Sequence, residues 1–212
     1  MSEVTKAEIR RKVRAGRAQL SVAELVRRGE AIAASLERHV HPRAVVAGYV
    51  PLPGEPNVLR FLERHVARAG SVYLPVVPPK GRILRWAPWT PQTQLRQHSK
   101  LPISEPSTSS THDVEALVVQ AAAARGKCPS PLVVLVPTLA LDSGGARLGQ
   151  GGGYYDTTTE RLTSVLQNHP GLSCELIAVV HSEEVMPPGS FPVERHDLRV
   201  SRAVTEYRVF GV

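Results

Sequence analysis

The chain is poor in cysteine. It has two in 212 residues, Cys128 and Cys174, far apart and in no CxxC pair. That excludes a disulfide framework and a cysteine-based zinc site, and a reducing cytosol is the expected setting. Long apolar runs are also missing. Even residues 132–137 form a stretch far too short to span a bilayer. The first residues carry charge but no apolar h-region, so no secretory signal is expected and the location is read as cytoplasmic. Aromatic residues make up 5% of the chain, and none precedes Tyr49. An N-terminal stacking platform for nucleic-acid bases would need cations interleaved with aromatics, so that pattern is absent.

What is present is the profile of a soluble globular protein, 42% apolar and 21% charged. A chain of this length buries about 70% of its unfolded surface and needs no metal or disulfide to hold a core. The net charge is +7, with 26 Lys and Arg against 19 Asp and Glu. It is unevenly placed. Residues 1–43 hold ten Lys or Arg and five Glu, so +5 of the total lies there. A cationic segment on a nearly neutral body points to an anionic partner: a nucleic acid, a membrane surface or a phosphorylated ligand.

Periodicity predicts helices over residues 4–20 and from Ser21 to about residue 40, the second opened by a capping box of Ser21 and Glu24. A buried strand is expected at 44–50, a helix at 55–69 and a second buried strand at 71–77. Alternation suggests a half-exposed strand at 82–89. Residues 90–112 read as loop, and 113–124 as helix. Residues 131–137 are the clearest buried strand. A helix follows at 157–168, then strands at 176–181, 199–204 and 207–212. This order implies an α/β fold: three α/β/α layers around a mainly parallel sheet, Rossmann-like in architecture, with one domain over 1–212.

The segment from Pro137 to Asp156 carries the chemistry. It leaves a buried strand and enters a helix, where open α/β sheets place ligands. Six glycines fall in ten positions: 144, 145, 149, 151, 152 and 153. Their backbone N–H groups can converge beside a helix N-terminus as an anion site suited to phosphates. Arg147 adds a fork of donors, Asp156 a hard oxygen for Mg²⁺, and Tyr154 and Tyr155 flat faces with hydroxyls. A flexible hairpin without ligand is the competing reading. No Walker loop is present, since no Lys-Ser or Lys-Thr follows the glycines. The dinucleotide fingerprint fails as well, because Tyr154 stands where its third glycine would fall.

Arg147–Asp156, RLGQGGGYYD, resembles the signature of the 5-formyltetrahydrofolate cyclo-ligase family. Other landmarks follow in that family's order over roughly residues 5–206. They are Lys6 with Arg10, Tyr49 to Glu55, Leu74-Pro75, Ile103-Ser104-Glu105-Pro106, Val136-Pro137 to Asp142, His196-Asp197, and Val204-Thr205-Glu206. The chain departs from the pattern at Thr157, where many relatives carry Arg, and at Lys100, where glycine is common. Residues 107–130 look like an insertion.

The resemblance implies an ATP- and Mg²⁺-dependent closure of 5-formyltetrahydrofolate to 5,10-methenyltetrahydrofolate by a monomer, with no nucleic-acid or membrane partner. Lys6 and Arg10 would contact ATP, with Arg147, Leu148, Gly149, Gln150, Gly151, Gly152, Gly153, Tyr154 and Tyr155 forming its loop. Arg10, Glu55, Gln150, Gly151, Gly152, Gly153 and Tyr154 would border the folate. Asp156 and Asp197 would hold Mg²⁺, and Arg147 and Tyr155 would serve the chemistry. The other eight cations of the first 43 residues are expected to be solvated helix surface. A relative acting on another heterocyclic or phosphorylated ligand, and a basic nucleic-acid-binding protein, are the alternatives.

Overall fold

A computed structural model describes residues 4–123, 131–194 and 197–212. Helix α1 (Lys6–Arg17) starts at Thr5, whose Oγ1 accepts from Glu8 N at 3.2 Å while the Glu8 carboxylate accepts from Thr5 N at 2.9 Å. The capping box thus forms at α1. At α2 (Val22–His39) Ser21 accepts from Glu24 N at 3.1 Å, but the Glu24 carboxylate turns to Arg27 and Arg28 instead.

The order continues with β1 (Val45–Ala47), α3 (Leu59–Ala67), β2 (Ser71–Val76), β3 (Arg85–Pro88), β4 (Leu95–Gln97) and β5 (Ser104–Pro106). Then come α4 (Val114–Ala122), β6 (Leu132–Pro137), β7 (Ala140–Asp142), β8 (Arg147–Leu148) and α5 (Tyr154–Leu166). The chain ends with β9 (Cys174–Val179), a 3-10 turn at Ser182–Glu184, β10 (Val185–Met186), β11 (Arg202–Val204) and β12 (Val209–Gly211).

The main sheet has seven strands in the order β12-β11-β9-β6-β1-β2-β3. Its interior pairs are parallel, and only the two edge strands, β3 and β12, run antiparallel. Both faces are covered, which is why its strands read as continuous apolar runs. Ile32 and Leu36 of α2 and Phe61 and Leu62 of α3 pack with Val46, Leu74, Val133 and Leu135. On the other face, Leu117 and Val118 of α4 and Leu162 and Val165 of α5 pack with Val45, Ala47, Val134 and Val136. The expected three-layer α/β/α architecture is present. No helix among the described residues is long and apolar enough to cross a membrane.

Several expectations are corrected. Residues 90–112 contain an antiparallel ribbon, β4 with β5, rather than loop alone. The Gly-rich segment includes β7 and β8, which join β10 in a small second sheet. Helix α3 starts at Leu59 because Pro56 and Asn57 intervene, the Asn57 side chain accepting from Leu59 N at 2.9 Å. Glu55 therefore lies in the loop before it. Helix α5 starts at Tyr154, three residues early, so Tyr154, Tyr155 and Asp156 form its first turn. Of the segment read as an insertion, Val114–Ala122 is α4, which packs on α5. Residues 124–130 lie outside the described residues.

Candidate active site

The loops after β1 and β6 leave the carboxyl ends of adjacent parallel strands and open on one cavity of about 390 Å³. Its polar wall carries Arg14, Glu55, Arg147, Gln150, Tyr155 and Asp156, and the backbone of Gly149 and 151–153 runs along it. The apolar wall includes Val50, Leu52, Leu84, Leu101 and Ile103. Leu101 and Ile103 belong to the turn of the β4–β5 ribbon, which thus borders the site. That ribbon is held by Glu105, which is buried, accepts from Val77 N at 3.0 Å and pairs with Arg96 at 2.9 Å.

Gly153 sits at the N-cap of α5 with φ of +71° and offers no side chain to cap it. A left-handed N-cap there needs glycine, and with no capping side chain the start of α5 is open to a ligand. A side chain at Gly149 would instead push on Arg147. A methyl group on it would sit 2.5 Å from Arg147 Nη1.

Arg147 is buried and donates to Asp156 Oδ1 at 2.8 Å. Leu198 N donates to the same oxygen at 3.0 Å. Burial pushes the Asp156 carboxyl up. The Arg147 charge and these hydrogen bonds outweigh it and hold the carboxyl below the usual aspartate range. Asp197 Oδ2 accepts from Lys6 Nζ at 2.6 Å and from Glu194 N at 2.7 Å. Burial raises that carboxyl too, but the Lys6 bond and charge lower it further, while the charge of Asp156 works against them. The two carboxylates therefore feel each other.

The Tyr155 hydroxyl is buried and has no hydrogen-bond partner among the described residues. Burial and the Glu55 carboxylate push the phenol up, and Arg147 only partly opposes them. It is held as a neutral donor inside the cavity. Glu55 is buried and tied to its own loop, accepting from Leu52 N at 2.9 Å. Gln150 bridges two elements. Its Nε2 donates to Glu55 Oε1 at 2.8 Å, and its Oε1 accepts from Arg14 Nη2 at 2.7 Å.

Arg10 reaches the loop from the opposite end of the sequence, its Nε donating to Gly149 O at 2.9 Å. So Lys6, Arg10, Glu55, Arg147, Gly149 to Asp156 and Asp197 meet in one region. Leu148 is the exception among the side chains singled out. It is buried with Ile9 and Val13 of α1, and only its backbone serves the loop. His196 lies outside the described residues. Trp86 and Trp89 are core residues and not part of the cavity. His181 is a buried core histidine whose Nε2 lies 3.2 Å from Gly54 O.

The cations of α1 and α2 are not all solvated surface. Arg14 holds Gln150. Arg17 is buried and makes a bidentate pair with Glu184 at 2.6 and 2.8 Å, with a third bond to Thr138 O at 2.7 Å. Arg28 is buried between Glu24 and Glu183. A signal for the first two was available. Lys6, Arg10, Arg14 and Arg17 recur every three or four residues and so share one helix face.

The model of the 5-formyltetrahydrofolate cyclo-ligase family matches residues 2–206. The chain belongs to that family. It is an ATP-dependent cyclo-ligase family acting in folate one-carbon metabolism. The chain is 29% identical to a 5-formyltetrahydrofolate cyclo-ligase of Mycolicibacterium smegmatis, over 89% of this chain and 88% of that relative. It is 32% identical to the Escherichia coli cyclo-ligase over 78% and 79% of the two chains. The solved 5,10-methenyltetrahydrofolate synthetase of Aquifex aeolicus superposes with a TM-score of 0.70 at 25% identity, covering 97% of this chain and 92% of that one. The seven-stranded cyclo-ligase fold is therefore shared.

Proposed function

We propose that the protein closes 5-formyltetrahydrofolate to 5,10-methenyltetrahydrofolate, converting ATP to ADP and phosphate. The observation that carries the reading is the joint placement of Arg147, Glu55, Tyr155 and the Gly149–Gly153 backbone on one cavity, in a chain of the cyclo-ligase family. The formamide carbonyl is a weak electrophile, and its oxygen is a poor leaving group. Transfer of the γ-phosphoryl group to that oxygen releases ADP and gives an imidate phosphate. N10 then attacks the same carbon, loses its proton, and phosphate departs. Such chemistry asks the protein mainly for positioning and charge neutralisation.

In this reading the open N-terminus of α5, Lys6, Arg10 and Arg147 receive the triphosphate. Gly149 and Gln150 to Tyr155 shape the loop around it, and Leu148 fixes that loop from below. Glu55 accepts hydrogen bonds from the pteridine N–H groups, displacing Gln150. Gln150 to Tyr154, together with Arg10, then border the folate. The Tyr155 phenol donates to the formyl oxygen before phosphorylation and helps fix its orientation. Asp156 and Asp197 suit Mg²⁺, since two neighbouring carboxylates plus phosphate oxygens meet its preference for hard oxygen ligands. Bound there, Mg²⁺ would neutralise phosphate charge. The site residues come from both ends of one chain, so we propose a monomer working as one unit.

The test mixes protein, 5-formyltetrahydrofolate and Mg-ATP and follows the near-ultraviolet absorbance of the methenyl product. Product formation is expected. ATP binding without product would favour a relative with another substrate, and no ATP binding would overturn both readings.

A further inference from the structure

One cation at the glycine loop has no task in the site as described. Arg82 is exposed, on the segment between β2 and β3. Its guanidinium lies against the loop: a methyl group at Gly153 would stand 3.4 Å from Arg82 Nη1. On the same turn, a methyl group at Gly151 would stand 3.5 Å from Arg10 Cζ. Two guanidiniums thus flank one three-residue turn, approaching it from α1 and from the β2–β3 connection.

The backbone beneath Arg82 is anchored. Leu84 N donates to Thr158 Oγ1 at 2.9 Å, and that hydroxyl donates to Tyr154 O at 2.6 Å. Thr158 is buried in α5, so residues 82–84 are tied to the helix whose open N-terminus they border. The charge is uncommitted. Among the described residues no carboxylate pairs with Arg82 and no hydrogen bond engages its guanidinium, whereas Lys6 and Arg147 each have an acidic partner. A cation held without a counter-ion beside an uncapped helix N-terminus favours a bound anion.

We propose that Arg82 is a further phosphate-binding residue of the ATP site, meeting the triphosphate at Gly153 as Arg10 does at Gly151. The proposal rests on the cyclo-ligase reading and adds a residue to it.

The test compares the protein with its Arg82→Ala, Arg82→Gln and Arg82→Lys variants. Three quantities are measured: the Kd for Mg-ATP without folate, the Kd for 5-formyltetrahydrofolate without ATP, and the thermal midpoint. Loss of one charge-assisted contact should weaken Mg-ATP by about tenfold or more in Arg82→Ala and Arg82→Gln. Arg82→Lys should recover part of that loss. Folate affinity and the midpoint should not change, because the guanidinium holds no partner among the described residues. Unchanged ATP affinity in both neutral variants, or a folate loss as large as the ATP loss, would overturn the proposal. If the unsubstituted protein binds ATP and forms product, such a result removes Arg82 alone. If it binds no ATP, the cyclo-ligase reading itself fails.

Discussion

Gln150 Nε2 donates to Glu55 Oε1 at 2.8 Å, joining residues 95 apart in the chain. With Arg14 on its carbonyl oxygen, the amide has one orientation, and Glu55 has a polar partner in Gln150. A ligand with its own N–H groups can replace that amide at little cost. Glu55→Ala should therefore raise the KM for folate by about tenfold, the worth of a hydrogen bond to a charged group, and leave the KM for ATP unchanged. Steady-state kinetics with each substrate varied checks this. A rise confined to ATP would contradict it.

Arg147 should matter to the reaction far more than to the fold. Arg147→Ala is expected to cut kcat/KM for ATP by about 100-fold, the usual scale for removing a preorganised charge-stabilising donor. Circular dichroism should show the same fold. A variant that unfolds, yet binds ATP normally where folded, would make Arg147 a structural residue.

The Arg17–Glu184 pair is buried on both sides. Glu184→Gln removes the carboxylate bonded to the buried Arg17 guanidinium, leaving only Glu55 at 3.8 Å, and should destabilise the protein by about 3 kcal/mol. Replacing both residues by apolar ones should cost less than the single change. Urea unfolding of the three proteins measures the difference, and equal stabilities would contradict it.

His65 gives a pH dependence with a definite sign. It is buried, its Nε2 lies 2.8 Å from Ala44 O, and its ring packs against Gly70. Burial pushes its pKa below 6.5, against the opposing pull of the Ala44 carbonyl and with help from Arg68. The unfolded chain then binds a proton that the folded one does not. Stability should be full above pH 6.5 and fall as pH drops through that value toward the lower folded pKa. His65→Gln keeps a donor for Ala44 and removes the titration. Its urea midpoint should fall less between pH 7 and 5, and an unchanged slope would contradict the assignment.

The parts that were legible in the sequence follow from local rules. Thr158 and Leu162 fall on the helix expected at 157–168, and the strand at 131–137 shows as an unbroken apolar run. The loop from Arg147 to Asp156 stands out because backbone donors need glycine where chain and ligand approach closely. Other features depend on tertiary context. Strand β4 is exposed, and the buried residues of β5 are Glu105 and Pro106, so the ribbon carries no apolar alternation. Strands β7, β8 and β10 have two or three residues each, too few for a period to register. Arg17 looks like any helix-surface cation until Glu184, 167 residues away, is placed beside it.

In the proposed function this cavity couples ATP to ring closure. The most direct measurement is the stoichiometry of ADP released to methenyl product formed, with and without folate. One ADP per product is expected, and no ADP when folate is omitted. ADP release without folate, or product formed without ATP consumption, would contradict it.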